Sequence, residues 1–184
     1  MFFTNPRKKK CSPVAGQFSR RPNEIHLLVP IQDYEQGRLA INLLRSNRND
    51  QIKSIRLFQC IEDKLNGGGF VHAMDIIQTS DEQKTAVENA LVKLQRLAEV
   101  LAQDLPSVRV SFNAGLYSSI PDAIVEEAEI INASMILFVQ DPQRKRHWLF
   151  PGVSNRVLRN APCSVQIIRP DKKEHILSQQ VFVA

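Results

Sequence analysis

The last third of the chain, from Ser119 to Pro170, alternates twice between a helix pattern and a short apolar run. The first helix pattern opens near Pro121, a residue suited to the first turn of a helix, and leads into the fully apolar run Met135 to Val139. A basic loop follows, then a short helix pattern from Val153 to Arg159 and a second apolar run, Val165 to Ile168. Runs of this kind are typical of strands buried on both faces of a parallel sheet.

The same alternation extends towards the N-terminus. Apolar runs predict strands at Ile25 to Ile31, Ile52 to Ile61 and Val108 to Phe112. A helix is expected to begin near Ser80, because Thr79-x-x-Glu82 and Ser80-x-x-Gln83 both fit the capping-box pattern. The element order β-α-β-α-β-α-β-α-β predicts an α/β fold: an open, mostly parallel five-stranded sheet with helices on both faces, as in Rossmann-like proteins.

Charge divides the chain into a domain and two extensions. Residues 1–22 carry six positive charges and no acid, whereas the net charge of the whole chain is +5. We therefore expect a basic, flexible arm at 1–22, an α/β domain at 23–170 and a C-terminal extension at 171–184 that could form an extra strand. Nucleic-acid binding is not expected, except weakly through the arm, because the domain has no excess of basic residues.

Targeting signals and reactive cysteines are not expected either. No run of apolar residues is long enough to span a membrane, and no secretory leader pattern opens the chain. Cys11, Cys60 and Cys163 are odd in number and widely spaced, which argues against a disulfide framework or a zinc site. The expected location is the cytoplasm, where thiols stay reduced.

Three strings resemble the universal stress protein family over about residues 24–170. They are Leu28-Val-Pro-Ile31, the segment Pro121 to Val139, and Arg156-Val-Leu-Arg-Asn-Ala-Pro-Cys-Ser-Val-Gln-Ile-Ile168. The resemblance implies the fold of the adenine-nucleotide alpha hydrolase-like proteins. It also implies a possible ATP site, since many family members bind ATP through a loop of the form Gly-x2-Gly-x9-Gly-(Ser/Thr).

This chain departs from that loop at most positions. Val139 and Pro142 stand where the first two glycines would be, and Pro142 has no amide to offer a phosphate. Gly152 fits the third glycine, but Val153 replaces the hydroxyl residue; an alternative alignment places Pro151-Gly152 at the Gly-Ser pair. After the first strand, Gln32 stands where relatives have an acidic residue, with Asp33 next. The basic loop around Arg144 could compensate through charged side chains.

The residues that the resemblance places at this cofactor site extend over four elements. They are Pro30, Gln32, Asp33, Cys60, Val139, Gln140, Arg144, Gly152, Val153 and Ser154.

No catalytic constellation is recognised elsewhere. His26 lies inside an apolar strand and is interpreted as a packed histidine, and Glu126, Glu127 and Glu129 are interpreted as a helix surface. We find no pattern typical of a catalytic triad, a Walker loop, a dinucleotide fingerprint or a metal site.

The expected function is therefore that of a regulatory or interaction module, not an enzyme, with weakened or absent ATP binding and no obligatory cofactor. The alternative is an adenine-nucleotide sensor that holds ATP through altered phosphate contacts. The resemblance implies a homodimer formed through the last core strand, Val165 to Ile168, and a protein partner that the sequence does not identify. An extra strand from 171–184 would cover that edge.

Overall fold

The computed structural model describes residues 24–47, 49–63, 73–140, 151–170 and 177–182. The N-terminal arm and the basic loop that contains Arg144 lie outside these residues. The elements follow in the order β1 (Ile25–Pro30), α1 (Tyr34–Ser46), β2 (Ile52–Glu62), α2 (Ala73–Asp104), β3 (Arg109–Tyr117), α3 (Ile120–Ile130), β4 (Met135–Val139), α4 (Pro151–Asn160), β5 (Ser164–Pro170) and β6 (Leu177–Phe182).

One sheet holds all of the described strands, in the order β3-β2-β1-β4-β5-β6. The first five are parallel to their neighbours, which confirms the predicted five-stranded parallel sheet. From β1 the chain moves outward to β3, then returns to the centre and continues with β4 on the other side. The strand order therefore switches direction between β1 and β4.

Each face of the sheet is covered by its own pair of helices. Leu27 and Val29 of β1 belong to the apolar cluster under α1 and α2, whereas Leu28 between them belongs to the cluster under α3 and α4. Alternate residues of a strand point to opposite faces, so both faces of β1 are buried. The same holds for the last four residues of β4. This double burial explains the continuous apolar runs in the sequence.

Helix α2 begins earlier than the capping patterns predict. It starts at Ala73, so Thr79 and Ser80 lie inside the helix and the predicted start near Ser80 is wrong. Neither glycine nor proline interrupts the stretch from Ala73 to Ser80, and a capping residue inside such a stretch does not stop the helix. The predicted apolar stripe is present, with Leu94, Ala98 and Leu101 buried.

Strand β3 runs further than expected. Its register with β2 continues from Ser54↔Arg109 to Glu62↔Tyr117, five residues past the predicted end at Phe112. Within this extension Gly115 lies beneath the ring of Tyr117, where a Cβ atom would be 3.0 Å from the ring. Pairing with β2 therefore determines where β3 ends.

A left-handed residue ends α3. Asn132 has φ 52°, a conformation that asparagine tolerates better than most residues. The amide of Asn132 donates to the Glu129 carbonyl, and the amide of Ala133 donates to the Ala128 carbonyl. This is the pattern of a Schellman motif, and it turns the chain directly into β4.

Strand β5 is not an edge strand. β6 pairs antiparallel with it, from Val165↔Phe182 to Pro170↔Leu177. The expectation that Val165 to Ile168 would offer a free edge to a second copy is therefore wrong, because the C-terminal extension occupies that edge within the same chain. The remaining edges of the described sheet are β3 and β6.

Gly37 permits close packing between α1 and α2. A Cβ atom at this position would overlap Cδ1 of Leu97, a buried side chain of the core. Gly37→Val should therefore lower the free energy of unfolding by about 1–3 kcal/mol, the usual cost of overpacking. Urea denaturation measures the change.

Gly152→Val is the matched control, because a Cβ atom at Gly152 meets none of the described residues within 4 Å. It should change stability by no more than about 0.5 kcal/mol. Equal losses in the two variants would contradict the packing argument and would indicate a general intolerance of helical valine.

Candidate functional site

The point where the strand order reverses is the natural place for a ligand in an open parallel sheet. Here it lies between the carboxyl ends of β1 and β4. The residues that leave these two strands are Ile31, Gln32 and Asp33 on one side and Gln140 on the other. Pro30 and Val139 are the buried last residues of the strands themselves. Five residues predicted for the site are therefore at the expected end of the sheet.

Asp33 begins α1. It is the N-cap residue, and its carboxylate accepts a hydrogen bond from the Gln36 amide at 3.1 Å. Its carbonyl accepts the amide of Gly37 at 3.0 Å. A capping aspartate satisfies amides that the helix itself cannot pair. The carboxylate of Asp33 is thus committed to the start of α1.

Gln36 connects the two central strands. Its Nε2 donates to the Val139 carbonyl at 2.6 Å, and its Oε1 accepts the Gln32 amide at 2.7 Å. The side chain is buried, with 5% of its surface exposed. One side chain therefore satisfies a backbone acceptor at the end of β4 and a backbone donor just beyond β1.

Gln59 of β2 holds the same segment from the other side. Its Nε2 donates to the Gln32 carbonyl at 2.9 Å. The backbone amide and carbonyl of Gln32 are thus both hydrogen-bonded to glutamine side chains. We call Gln36, Gln59 and the backbone of Gln32 the glutamine network; it links β2, β1 and β4 across their carboxyl ends.

Gln140 belongs to the outer part of the same sheet end. Its amide donates to the Ile168 carbonyl at 2.8 Å, which extends the pairing of β4 with β5. Its Oε1 accepts Nε of Arg169 at 2.8 Å. Gln140 therefore contacts β5 by both its backbone and its side chain.

Cys60 lies on the face of β2 that is covered by α3. Burial, and secondarily the charge of Glu127, raises the pKa of its thiol to about 12. The same two causes, in the same order, raise the pKa of Tyr117, whose ring packs edge-on against Phe58 at 5.6 Å between centroids. A thiol with such a pKa is protonated at neutral pH and is a poor nucleophile.

Glu127 is buried beside Cys60, which corrects its interpretation as part of a helix surface. Its Oε1 lies 3.3 Å from Nε of Arg56, and its Oε2 accepts Nδ2 of Asn113 at 3.1 Å. Arg56 also donates to the Phe112 carbonyl at 3.2 Å. A buried carboxylate requires such partners, because an unpaired charge in the interior is costly. Glu126 and Glu129 are exposed, as expected.

Helix α4 carries the last predicted site residues in its first turn. Gly152 is exposed, Val153 is half-buried and Ser154 is buried. Arg144 lies outside the described residues, so its predicted phosphate contact stays a prediction.

His26 lies at the opposite end of β1. Its Nδ1 is 2.7 Å from the Ser54 hydroxyl, and its amide donates to the Ser134 hydroxyl at 2.7 Å. It therefore fastens the amino end of β1 to its neighbours. Among the described residues, no group of His, Cys, Asp and Glu side chains could hold a metal ion.

Sequence reasoning missed Gln36 and Glu127, the two most informative polar side chains. Each stands on the apolar side of its helix: Gln36 four residues before Ala40, and Glu127 three residues after Ile124. A polar residue within a buried stripe is a signal that the periodicity could have revealed. The partner of Gln36 is Val139 and that of Glu127 is Arg56. Both partners are distant in sequence, so the periodicity of one helix could not reveal them.

Residues 68–169 match the sequence profile described as "Universal stress protein family". This chain belongs to that family. The match covers α2 to β5 and so includes β4 and α4.

Solved structures agree with this assignment at the level of the fold. The hypothetical protein PH0823 is 22% identical with a TM-score of 0.61, and covers 82% of this chain and 99% of its own. The hypothetical protein MJ0577 is 14% identical with the same TM-score and coverage. UspA from Lactobacillus plantarum is 14% identical with a TM-score of 0.54, covering 79% of this chain and 99% of its own.

No curated protein matches the sequence significantly. Within the part of the chain that the structure describes, no helix has the length and apolarity required to cross a membrane.

Gln36→Leu tests whether the glutamine network stabilises the domain. Leucine keeps the side-chain volume but leaves the Gln32 amide and the Val139 carbonyl without their partner. Since each unsatisfied buried polar group costs about 1–3 kcal/mol and two are left, we expect a loss of at least about 2 kcal/mol in urea denaturation. Gln95→Leu on the exposed surface of α2 is the control and should stay within about 0.5 kcal/mol of wild type. If the two variants are equally stable, the network has no stabilising role.

The raised pKa of Cys60 predicts slow alkylation. At pH 8 about one Cys60 thiol in ten thousand should be ionised in the folded protein, against about one in ten for an exposed thiol with the ordinary pKa of 9.0. Iodoacetamide followed by peptide mass spectrometry should find Cys60 unmodified in buffer and modified in urea. The rate in the folded state should rise about tenfold per pH unit above pH 8. Rapid labelling of Cys60 at pH 7 in folded protein would contradict this environment.

Proposed function

We propose that this member of the universal stress protein family is a non-catalytic regulatory or interaction module in which ATP binding is weakened or absent. The observation that carries the proposal is the glutamine network at the switch point of the sheet. Its position supports the proposal because ligands of open parallel sheets bind beyond the strand ends at that point.

A nucleotide entering this place would compete with groups of the protein itself. Backbone donors and acceptors at strand ends are the usual polar contacts of such ligands. Here the Gln32 amide, the Gln32 carbonyl and the Val139 carbonyl already bind glutamine side chains. Displacing these bonds without replacing each one costs about 1–3 kcal/mol per unsatisfied group.

The part of the site that would bind the phosphates also lacks the glycines of the family loop. Val139 is a buried strand residue with a branched side chain where the family loop has its first glycine. Pro142 has no amide for the second position. Each lost backbone contact to a phosphate removes about 1.5–3 kcal/mol, since bonds to charged groups are the stronger ones.

The chemistry of the described side chains supports a non-enzymatic role. Cys60 is held protonated, His26 is engaged at the far end of β1, and the carboxylate of Glu127 is paired with Arg56. A catalytic group needs access to substrate and a pKa matched to its task. Each of these three side chains is thus buried or engaged within the fold, which limits its access to a substrate.

Calorimetric titration with ATP tests the proposal. Wild-type protein should give a dissociation constant weaker than about 1 mM, equivalent to less than about 4 kcal/mol of binding free energy. Gln36→Ala should bind adenosine and ATP at least about tenfold more tightly than wild type, because it frees the two backbone groups that Gln36 occupies. Gln95→Ala is the control and should bind as wild type does.

A micromolar dissociation constant for wild-type protein would overturn the proposal and favour the alternative, an adenine-nucleotide sensor with altered phosphate contacts. Mass spectrometry of the purified protein for co-purified nucleotide gives an independent reading. Titration of adenosine beside ATP distinguishes binding through the base and ribose from binding through the phosphates.

A further inference from the structure

Strand β3 forms one edge of the sheet and is long for an edge strand. It has nine residues, and all of them pair with β2 on one side. None of the other described strands pairs with its second side. Nine residues of strand with one open side are a template onto which another strand can pair.

The backbone groups on the open side can be assigned by alternation. The carbonyl of Tyr117 accepts the Asp63 amide, so it points towards the β2 side. Since the direction of the amide and carbonyl alternates along a strand, those of Val110, Phe112, Ala114 and Leu116 point outward. The Phe112 carbonyl accepts one bond from Arg56 and keeps a second lone pair for a partner amide.

The sequence of β3 does not protect this edge. Proteins usually block an exposed edge strand with proline, with lysine or other charges near the middle, or with a covering segment. β3 contains no proline or lysine, and its one charged residue, Arg109, stands at the start. At the other side of the sheet β6 pairs with β5 and covers its edge. No described strand covers β3 in the same way.

β3 is complementary to itself when two copies run antiparallel about Asn113, its central residue. On the α2 side, this register places Val110 opposite Leu116 and Phe112 opposite Ala114, so every pair is apolar. These four residues carry the outward backbone groups, so each pair would exchange two hydrogen bonds.

The other side of the ribbon is equally compatible with this register. Arg109 falls opposite Tyr117, where a guanidinium can lie against an aromatic ring. Ser111 falls opposite Gly115, and Asn113 falls opposite its own copy. No like charges face each other, and in a two-fold arrangement each favourable pair occurs twice.

We propose that β3 is the dimerisation strand of this protein, pairing antiparallel with β3 of a second copy so that the two sheets become continuous. The proposal rests on the interaction role argued above and names the partner as the chain itself. The dimer would form through the open edge of β3 instead of the edge of β5, which β6 covers. Nucleotide binding does not enter it, so its test is separate from the calorimetry.

Sedimentation equilibrium and light scattering at tens of micromolar give the first measurement. The wild-type chain should be a dimer. Leu116→Lys places a charge opposite an apolar residue twice in the dimer and should raise the dissociation constant at least about tenfold. Val92→Lys is the matched control, since Val92 is an exposed apolar residue of α2 outside β3, and it should leave the dimer unchanged.

Amide hydrogen exchange gives the second measurement, residue by residue. The outward amides of Val110, Phe112, Ala114 and Leu116 should be protected in the dimer and should lose protection on dilution. The inward amides of Ser111, Asn113 and Gly115 should stay protected at every concentration. Ala114→Pro removes one outward amide while sparing the pairing with β2, and should dissociate the dimer without loss of circular dichroism.

Three results would overturn the proposal. One is a wild-type monomer at tens of micromolar. Another is a dimer that Leu116→Lys and Ala114→Pro leave intact while the outward amides exchange freely, because the dimer would then use another surface such as β6. The third is protection of the outward amides that does not depend on concentration, because a segment of the same chain would then cover the edge.

Discussion

The double burial of β1 and β4 is the constraint on which the rest of this structure depends. The backbone amides and carbonyls of a strand covered on both faces can form hydrogen bonds only with neighbouring strands. At the carboxyl end of the strand those partners are no longer present. The helices that follow β1 and β4 lie on opposite faces of the sheet, and two sets of backbone groups at the strand ends meet at one place. In many folds of this class a ligand or water occupies that place. Here Gln36 does so, reaching Val139 and the Gln32 amide from a buried position on α1.

On the opposite face of the sheet, a second buried polar group also has its partners on other elements. Glu127 of α3 lies over the sheet with Arg56 and Asn113 as partners, and its charge contributes to the protonated state of Cys60. A buried ion pair of this kind is weak evidence for added stability, because desolvation offsets much of the attraction. It does constrain where α3 lies relative to β2 and β3. The two faces therefore differ in character: the buried polar side chain of α1, Gln36, is uncharged, whereas the layer beneath α3 contains this charge pair.

The two sides of the sheet have different consequences for assembly. The C-terminal extension adds β6 to β5 and removes the edge that the family resemblance suggested for dimerisation. β3 keeps its outer side open among the described strands, with an apolar and self-complementary sequence. An interaction module needs an exposed surface of this kind, and its site of association need not coincide with a nucleotide pocket.

The local hydrophobic pattern of each segment was sufficient to predict the element order and the parallel sheet. It also predicted the strand ends near Ile31, Ile61 and Val139. These features depend on hydrophobic periodicity, which each segment carries by itself. The fold expected from the three family-like strings is the fold observed. Element boundaries were less accurate: α2 begins at Ala73, because no glycine or proline interrupts the stretch before the capping patterns, and β3 ends at Tyr117, because its pairing with β2 continues to that residue.

Only the tertiary structure determined the contacts between residues that are distant in the chain. The sequence by itself showed that Val139 and Pro142 stand where the family resemblance expects two glycines, and that Asp33 follows β1. It could not show that Gln36 closes the switch point, because its partner Val139 is 103 residues away. Nor could it show that Glu127 is buried, or that β6 rather than a second chain pairs with β5. Such pairings arise when the helices and strands pack together, and periodicity within one segment carries no information about its partner.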